Sequence, residues 1–303
     1  MSRILSFEDG KIIYLKGKQG ENSVQIRDWV SRPLPDDIME NGQIRDDDAF
    51  CEILQGFVRK NNFDKKDCSV VIDHHNALLR ELTLPAAKDK EMYGIVQNEM
   101  LYALGNMDEY TVDYVQLETV EGGSQVRVLA MALQNQLIEN LLSAAARCGL
   151  KVESIDLGFN ALAKLTRAAY PQYLVAVLLE ITESCINIYL IEDGYCFLCR
   201  NVRLNINTFA QSETLDVMAE EIADHVGRVL QFQHSRSREH DIETLLLLCD
   251  RPEANEMLEM LSRNISIPCA AFDWGGVVKS KTSVLPEAAL CAKGAGGLLK
   301  KKK

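Results

Sequence analysis

The apolar residues alternate in some segments and recur every three or four positions in others, a pattern that predicts a mixed α/β protein. Apolar runs at residues 4–7 and 11–15 predict strands, and Asp9-Gly10 between them favours a two-residue hairpin turn. A third strand is predicted at residues 23–30, followed by a polar loop at 32–48. Apolar residues at helical spacing after residues 46–48 predict a helix, and residues 68–72 predict a buried strand.

The middle of the chain predicts a unit with its own strands and helices. A strand at residues 77–84 stops at Pro85, and a helix covers residues 88–104. A hairpin follows over residues 111–120 and 125–133. A helix over residues 135–148 ends before Gly149, the residue type that often terminates helices, and a strand at 152–157 completes the unit.

The second half of the chain repeats the order of the first half. Strands are predicted at residues 174–180, 186–191 and 195–200, then a long helix at 213–235. A strand at 244–249, a helix at 252–262, a strand at 267–272 and a last helix near 287–295 follow. Strand–turn–strand, helix and strand thus occur twice, which predicts two related α/β halves.

Charge narrows the classes of protein to consider. The formal net charge of −11 disfavours a nucleic-acid binder, since phosphate contacts need local positive charge. Residues 279–303 nevertheless hold seven lysines and one acid, a charge of +6, which predicts a solvated tail or, as an alternative, contact with an anionic membrane. No membrane helix or signal peptide is predicted, so we expect a cytosolic protein.

Two short motifs are weak candidates for chemistry. Cys196 and Cys199 form a CxxC motif on a predicted strand rather than at a helix N-terminus, so redox or metal chemistry is not expected there. Asp73-His74-His75 ends a predicted strand. Adjacent residues on a strand point to opposite faces, so a shared metal ion is not expected, and we predict a polar strand end at a cleft or at the surface.

Several segments occur in an order that resembles a known family. They are Leu34-Pro35 with Glu40-Asn41-Gly42-Gln43-Ile44, Arg80-Glu81-Leu82-Thr83-Leu84-Pro85, Glu99, Tyr114, Ala130, Cys148-Gly149-Leu150, Ser154-Ile155-Asp156-Leu157 and residues 180–203. Their order and spacing resemble the PilM family, the cytoplasmic actin-like proteins of type IV pilus assembly, which are relatives of the division protein FtsA.

The resemblance implies an actin-like (ribonuclease H-like) fold of α/β class, with two lobes around a nucleotide cleft and a small inserted α+β subdomain. Residues 1–76 with 151–172 would form the core of the first lobe. Residues 77–150 would be the inserted subdomain, and residues 173–303 would form the second lobe.

The residues themselves argue against nucleotide binding. The family's phosphate loops use an Asp, a nearby Gly and small hydroxyl residues; here Asp9 and Gly10 form only a short turn. Glu180 and Thr182 stand where the second loop has Asp and Gly, and Glu183 adds negative charge. The turn at residues 248–254 has no glycine. We therefore predict a vestigial site at Asp9, Gly10, Glu180, Thr182 and Ser184, with no metal and no cofactor.

The resemblance implies a scaffold rather than an enzyme. Such a scaffold would bind the cytoplasmic tail of a PilN-like bitopic membrane protein and other pilus assembly proteins, at the inner face of the cell membrane. The membrane association would be peripheral, through that partner, and no nucleic acid is expected. The strand at 77–84 and the helix at 88–104 are predicted to border the tail groove. The alternative is an actin-like protein that binds ATP with magnesium through Glu180, Thr182 and Ser184 and assembles in a nucleotide-dependent way.

Overall fold

Two β-sheets that share the same order over five strands organise the chain. The computed structural model describes residues 1–8, 10–35, 37–61, 67–182, 185–202, 212–237, 239–249, 251–280 and 288–300. The strands are β1 (Ser2–Glu8), β2 (Lys11–Lys18), β3 (Val24–Pro33), β4 (Met39–Glu40), β5 (Gln43–Ile44), β6 (Asp67–Ile72), β7 (Leu78–Pro85), β8 (Tyr110–Val120), β9 (Gln125–Gln134), β10 (Lys151–Leu157), β11 (Val175–Ile181), β12 (Ile186–Glu192), β13 (Tyr195–Val202), β14 (Thr244–Cys249), β15 (Cys269–Ala271) and β16 (Val278–Ser280). The helices are α1 (Asp47–Lys60), α2 (Asp89–Leu104), α3 (Asn135–Arg147), α4 (Gly158–Ala169), α5 (Ser212–Arg236), α6 (Ala254–Asn264) and α7 (Ala288–Gly297).

The first sheet has the strand order β10-β6-β1-β2-β3-β16. Strands β1, β2 and β3 form an antiparallel meander, and β6 and β10 are added parallel to β1. Alternate residues of β1 face opposite sides of the sheet. Phe7 meets Phe50 of α1, with ring centroids 5.4 Å apart, while Ser6 faces α7. Helices therefore cover both faces, which explains the continuous apolar runs of these strands.

The second sheet repeats this arrangement in the order β13-β12-β11-β14-β15. Strands β11, β12 and β13 form an antiparallel meander, and β14 and β15 follow parallel to β11. Every residue of β11 is buried, and helices α5 and α6 supply apolar side chains to the same core. The predicted repeat of two related α/β halves is confirmed by these two matching sheets.

A third sheet, β7-β9-β8, forms a separate small layer with α2. Residues of β9 alternate between its two faces, as in any strand. Val126, Val128 and Ala130 pack with α2, whereas Leu129 belongs to the core of the second sheet. We call this sheet together with α2 the insertion. It packs one face on its own helix and offers the other face to the rest of the molecule.

Two segments depart from the predicted domain boundaries. Helix α3, expected in the insertion over residues 77–150, contributes Leu137, Leu141 and Ala145 to the core around the first sheet. The C-terminal part of residues 173–303, expected in the second lobe, also returns to the first sheet: β16 pairs with β3, and α7 packs against β1, β2 and β6. Sequence order alone could not show this, because both segments are joined to their lobes only by tertiary packing.

The structure also adds elements to the predicted order. Helix α4, which the apolar pattern did not single out, packs against α7, and most of its residues are buried. The segment expected to be a loop at residues 32–48 contains the small hairpin β4–β5. In the described part of the chain, no helix is both long and apolar enough to cross a membrane.

Candidate functional site

The β1–β2 hairpin is short. Glu8 pairs with Lys11 in the strand register, so only two residues make the turn. Gly10 has a φ of +65°, and its carbonyl oxygen accepts a hydrogen bond from the N–H of Leu34 at 2.7 Å. Asp9, the other predicted site residue here, lies outside the described residues. The turn is thus a tight hairpin turn of the kind that its sequence predicts.

In the β11–β12 turn, Thr182 and Cys185 are hydrogen-bonded to each other. The N–H of Thr182 donates to the carbonyl oxygen of Cys185 at 3.0 Å. In return, the N–H of Cys185 donates to the hydroxyl oxygen of Thr182 at 3.1 Å. A phosphate that accepted a hydrogen bond from the N–H of Thr182 or of Cys185 would have to displace the bond which that N–H makes here. Ser184 and Glu183, also considered from the sequence, lie outside the described residues.

Glu180 is fully buried and both of its carboxylate oxygens have partners. Its Oε2 accepts hydrogen bonds from Nδ2 of Asn187 at 2.9 Å and from the hydroxyl of Tyr189 at 2.8 Å. Its Oε1 lies 2.7 Å from Nζ of Lys293. The residue is 2% exposed. Glu180 is therefore held by three groups of the protein itself, rather than pointing into an open cleft.

Asp73 approaches from the first sheet. It follows β6, and its N–H donates to the carbonyl oxygen of Phe7 at 2.9 Å. The β4–β5 turn covers this strand end: the N–H of His75 donates to Oδ1 of Asn41 at 2.9 Å, and Nδ1 of His74 lies 2.7 Å from the carbonyl oxygen of Asn41. The predicted polar strand end at Asp73-His74-His75 thus lies at the cleft, with Asp73 and His74 buried.

Lys293 joins the two acids. Its Nζ lies 2.7 Å from Oδ2 of Asp73 and 2.7 Å from Oε1 of Glu180, and its side chain is 1% exposed. One ammonium group therefore binds a carboxylate of each sheet. Lys293 is one of the lysines for which the sequence predicts a solvated C-terminal tail, and its burial shows that this prediction is wrong for this residue.

Small residues of α7 put Lys293 in this position. A Cβ atom at Gly296 would lie 2.0 Å from the carbonyl oxygen of Ala161 in α4. At Gly294 it would lie 2.2 Å from Cδ1 of Leu15 in β2. Real side chains do not tolerate such distances, so glycine lets α7 pack tightly between α4 and the first sheet. The run ALCAKGAGG, with one lysine among small apolar residues, is the sequence signal that could have identified this site.

Lys293 and Asp73 each shift the pKa of the other toward its charged form. Burial alone would lower the pKa of Lys293, but Asp73, Glu180 and Glu8 hold it well above its ordinary value. Burial alone would raise the pKa of Asp73, but Lys293 and His75 hold it below its usual range. The ammonium and the Asp73 carboxylate are therefore both charged at neutral pH. We call Lys293, Asp73 and Glu180 the cleft triad.

Glu8, at the end of β1, carries the third carboxyl group near this ammonium. Burial raises the pKa of Glu8 to about 8, and the attraction of Lys293 offsets only part of that shift. Oγ of Ser6 donates a hydrogen bond to Oε1 of Glu8 at 2.8 Å. Glu8 is therefore mostly protonated at neutral pH, which limits the negative charge in the cleft.

A second concave feature lies beside the insertion. A cavity of ≈ 60 Å³ is bordered by residues of β7, β8 and β9, by α4 and by the β12–β13 turn: Leu79, Asp113, Tyr114, Val115, Leu129, Met131, Asn160, Lys164, Gly194 and Tyr195. We call this the insertion groove. Strand β7, predicted to border a groove, contributes Leu79, whereas α2 packs on the opposite face of the sheet and does not line it.

The groove brings apolar and charged groups together. Leu79 pairs with Met131 in the strand register, and Val115 pairs with Leu129, so these four side chains lie on the sheet face turned away from α2. On the helix side, Nζ of Lys164 lies 2.7 Å from Oδ2 of Asp156. Such a surface combines an apolar floor with a polar edge, as peptide-binding grooves do.

Comparisons with known proteins agree with this architecture. Residues 5–211 match the sequence family described as type IV pilus assembly protein PilM. None of the curated protein sequences matches this chain significantly. The solved PilM-PilN type IV pilus biogenesis complex contains a chain with a TM-score of 0.79 and 16% identity, over 97% of this chain and 97% of that one.

A more distant likeness supports the fold alone. The ethanolamine utilization protein EutJ from Carboxydothermus hydrogenoformans has a TM-score of 0.52 and 10% identity, over 98% of this chain and 88% of that one. The expected actin-like fold is confirmed by these structures and by the two matching sheets. Because the family match spans more than half of the sequence, the chain belongs to the PilM family of type IV pilus assembly proteins.

Proposed function

We propose that this protein is a cytoplasmic adaptor of a type IV pilus or related secretion machine, and that it binds the cytoplasmic tail of a PilN-like bitopic membrane protein. The observation that carries this proposal is the family match over residues 5–211. The likeness to a PilM chain solved with PilN supports the choice of partner. Membrane association through this partner, at the inner face of the membrane, is part of the proposal.

The insertion groove is the proposed docking site for the tail. Its floor offers four apolar side chains from adjacent strands, namely Leu79, Val115, Leu129 and Met131, and the partly exposed Leu79 and Met131 are accessible to a peptide. Burying peptide side chains there would supply the affinity, since apolar burial contributes about 25 cal/mol per Å². Asp113 and Lys164 at the edges would set the orientation of a charged peptide.

Calorimetric titration with a synthetic peptide of the tail tests this assignment. Met131→Asp places an uncompensated charge in the groove and should weaken binding at least tenfold. Leu142→Asp is the matched control, because Leu142 is a 41% exposed apolar residue on α3 and does not line the groove. Equal affinities of the two variants and the unmodified protein would remove the groove from the proposal.

We further propose that the adaptor does not bind or hydrolyse ATP. The two-residue β1–β2 turn, the internally bonded Thr182 turn and the triad around Lys293 support this. A triphosphate entering the cleft would meet Asp73 and Glu180, whose charges repel it, and a lysine already engaged by both acids. The vestigial site at Asp9, Gly10, Glu180, Thr182 and Ser184 would therefore hold no cofactor.

The alternative is an ATP-binding protein with nucleotide-dependent assembly. Titration with ATP and magnesium separates the two: micromolar affinity at one site would overturn the nucleotide-free proposal. Sedimentation with and without nucleotide is the matching test of assembly. Neither result bears on tail binding, so the two parts of the proposal can fail separately.

A further inference from the structure

A buried lysine joins the two sheets beside the apolar core that they share. Asp73 follows β6 of the first sheet, and Glu180 is in β11 of the second. Each contributes one carboxylate oxygen at 2.7 Å from Nζ of Lys293. The remaining contacts hold the acids within their own lobes: Asn187 and Tyr189 bind Glu180 from β12, and the N–H of Asp73 binds β1.

The geometry points to more than a packed core residue. A bound metal ion can close a cleft by binding carboxylates from both lobes, and the ammonium group of Lys293 lies between two carboxylates in the same way. Here the cation is covalently part of α7, which packs on the first sheet. The entropic cost of fixing this cation is therefore incurred when the protein folds. No free ligand has to bind for the position between the two carboxylates to be occupied.

We propose that Lys293 is a built-in clasp, whose ammonium group takes the place of a ligand-borne cation between the two lobes and holds them closed without any bound ligand. This inference goes beyond the proposed adaptor role, because it concerns how the lobes are held rather than what they bind. The insertion groove is bordered by both lobes, through α4 and the β12–β13 turn. A closed cleft would therefore keep this groove in one shape.

Groups next to Asp73 and Lys293 are consistent with an ion pair at this position. Nε2 of His75 lies 3.8 Å from Oδ1 of Asp73, so the second oxygen of this carboxylate also has a polar neighbour. Gly158, the first residue of α4, leaves the space that the pair needs. A Cβ atom there would lie 3.0 Å from Oδ1 of Asp73 and 3.1 Å from Cδ of Lys293.

Lys293→Met tests the clasp, because it keeps most of the side-chain volume and removes the charge. Two carboxylates would then share a buried site without a cation, so the Tm should fall on the order of 10 °C. The clasp predicts in addition that the radius of gyration in solution scattering rises, and that amide exchange quickens in both the β1–β2 and β11–β12 hairpins.

Lys164→Met is the matched control. Its ion pair with Asp156 has the same 2.7 Å length but joins α4 to β10 within the first lobe. This variant should lose some stability and keep the scattering radius of the unmodified protein. If Lys293→Met fails to fold, Glu180→Gln replaces it, because that change removes the charge that Lys293 of α7 contacts on the second sheet and leaves Lys293 paired with Asp73.

Chemical rescue tests whether the charge is what matters. Lys293→Ala removes three carbon atoms and the ammonium nitrogen, the same heavy atoms that n-propylammonium contains. Millimolar n-propylammonium should restore the Tm and the compact radius, and 1-propanol, which has a similar shape without charge, should not. Equal rescue by both compounds would overturn the inference.

An unchanged scattering radius and unchanged hairpin exchange in whichever of Lys293→Met or Glu180→Gln folds would overturn it too. Binding of ATP to the unmodified protein would count against the nucleotide-free proposal and not against the clasp, so the two can be distinguished.

Discussion

Nη1 of Arg236 lies 2.7 Å from Oε2 of Glu81, an ion pair that joins the end of α5 in the second lobe to β7 of the insertion. Glu81 also accepts a hydrogen bond from Nε of Arg127 at 2.7 Å, and Arg236 binds Glu192 and stacks 4.0 Å above the ring of Phe197. The Arg236 side chain is only 10% exposed. It fixes the insertion on the second lobe.

Arg236→Met should lower the free energy of unfolding by about 2–3 kcal/mol, because it leaves Glu81 and Glu192 without this partner in a largely buried contact. Urea denaturation measures the change. Arg263→Met is the control, since Arg263 is 75% exposed and its 3.9 Å pair with Glu259 should contribute less than about 1 kcal/mol. Equal losses for the two variants would contradict the proposed role of Arg236.

Glu8 should make stability depend on pH. Its pKa is about 8 in the folded protein against 4.5 for an ordinary glutamate, so the folded state keeps a proton that the unfolded chain releases. Stability from this group is therefore complete below pH 4.5 and decreases as the pH rises to 8.

Glu8→Gln keeps the oxygen that accepts from Ser6 and cannot ionise. It should raise the free energy of unfolding at pH 8 by about 1–2 kcal/mol, with the gain vanishing near pH 4.5. Glu8 keeps some exposure to solvent, so this figure is smaller than the full pKa shift would give. Urea titrations at several pH values measure it, with the exposed Glu153→Gln as control. A gain that does not vary with pH would contradict the assignment.

Gly296→Ala should be strongly destabilising. Its Cβ would lie 2.0 Å from the carbonyl oxygen of Ala161, so α7 would have to move away from α4, at a cost of about 1–3 kcal/mol or more. Gly227→Ala in α5 is the control. Nothing lies within 4 Å of its added Cβ, so it should stabilise the helix by about 0.5–1 kcal/mol. Thermal unfolding of both variants checks the opposite signs.

Tyr189→Phe removes the hydroxyl that donates to Oε2 of Glu180 at 2.8 Å in a fully buried site. The buried carboxylate loses one donor, so the free energy of unfolding should fall by about 1–3 kcal/mol. Tyr93→Phe removes a longer, 3.3 Å bond from a 43% exposed tyrosine, and its effect should stay below about 0.5 kcal/mol. Chemical denaturation of both variants measures the two changes in free energy of unfolding. Equal changes would contradict the stabilising role of the Tyr189 hydroxyl.

Local patterns predicted most of the elements. Strand β14 matches the predicted residues 244–249, and the helix predicted at 135–148 is α3, Asn135–Arg147, followed by Gly149 with a φ of +71°. These signals depend on neighbours in sequence, such as apolar spacing and a glycine in a left-handed conformation. Helix α4 was missed although its buried Phe159, Leu162 and Leu165 and its partly exposed Asn160, Lys164 and Arg167 recur at helical spacing.

The sequence by itself determined the two α/β halves, the short turn at Asp9-Gly10 and the absence of glycine at Thr182 and in the turn at residues 248–254. Only the tertiary structure decided that residues 288–297 leave the second lobe and pack on the first sheet, and that Lys293 enters the cleft. Its partners Asp73 and Glu180 are far away in the chain. The position of a lysine near the C-terminus predicts a solvated side chain. Because packing buries Lys293, its charge needs buried partners, and Asp73 and Glu180 supply them.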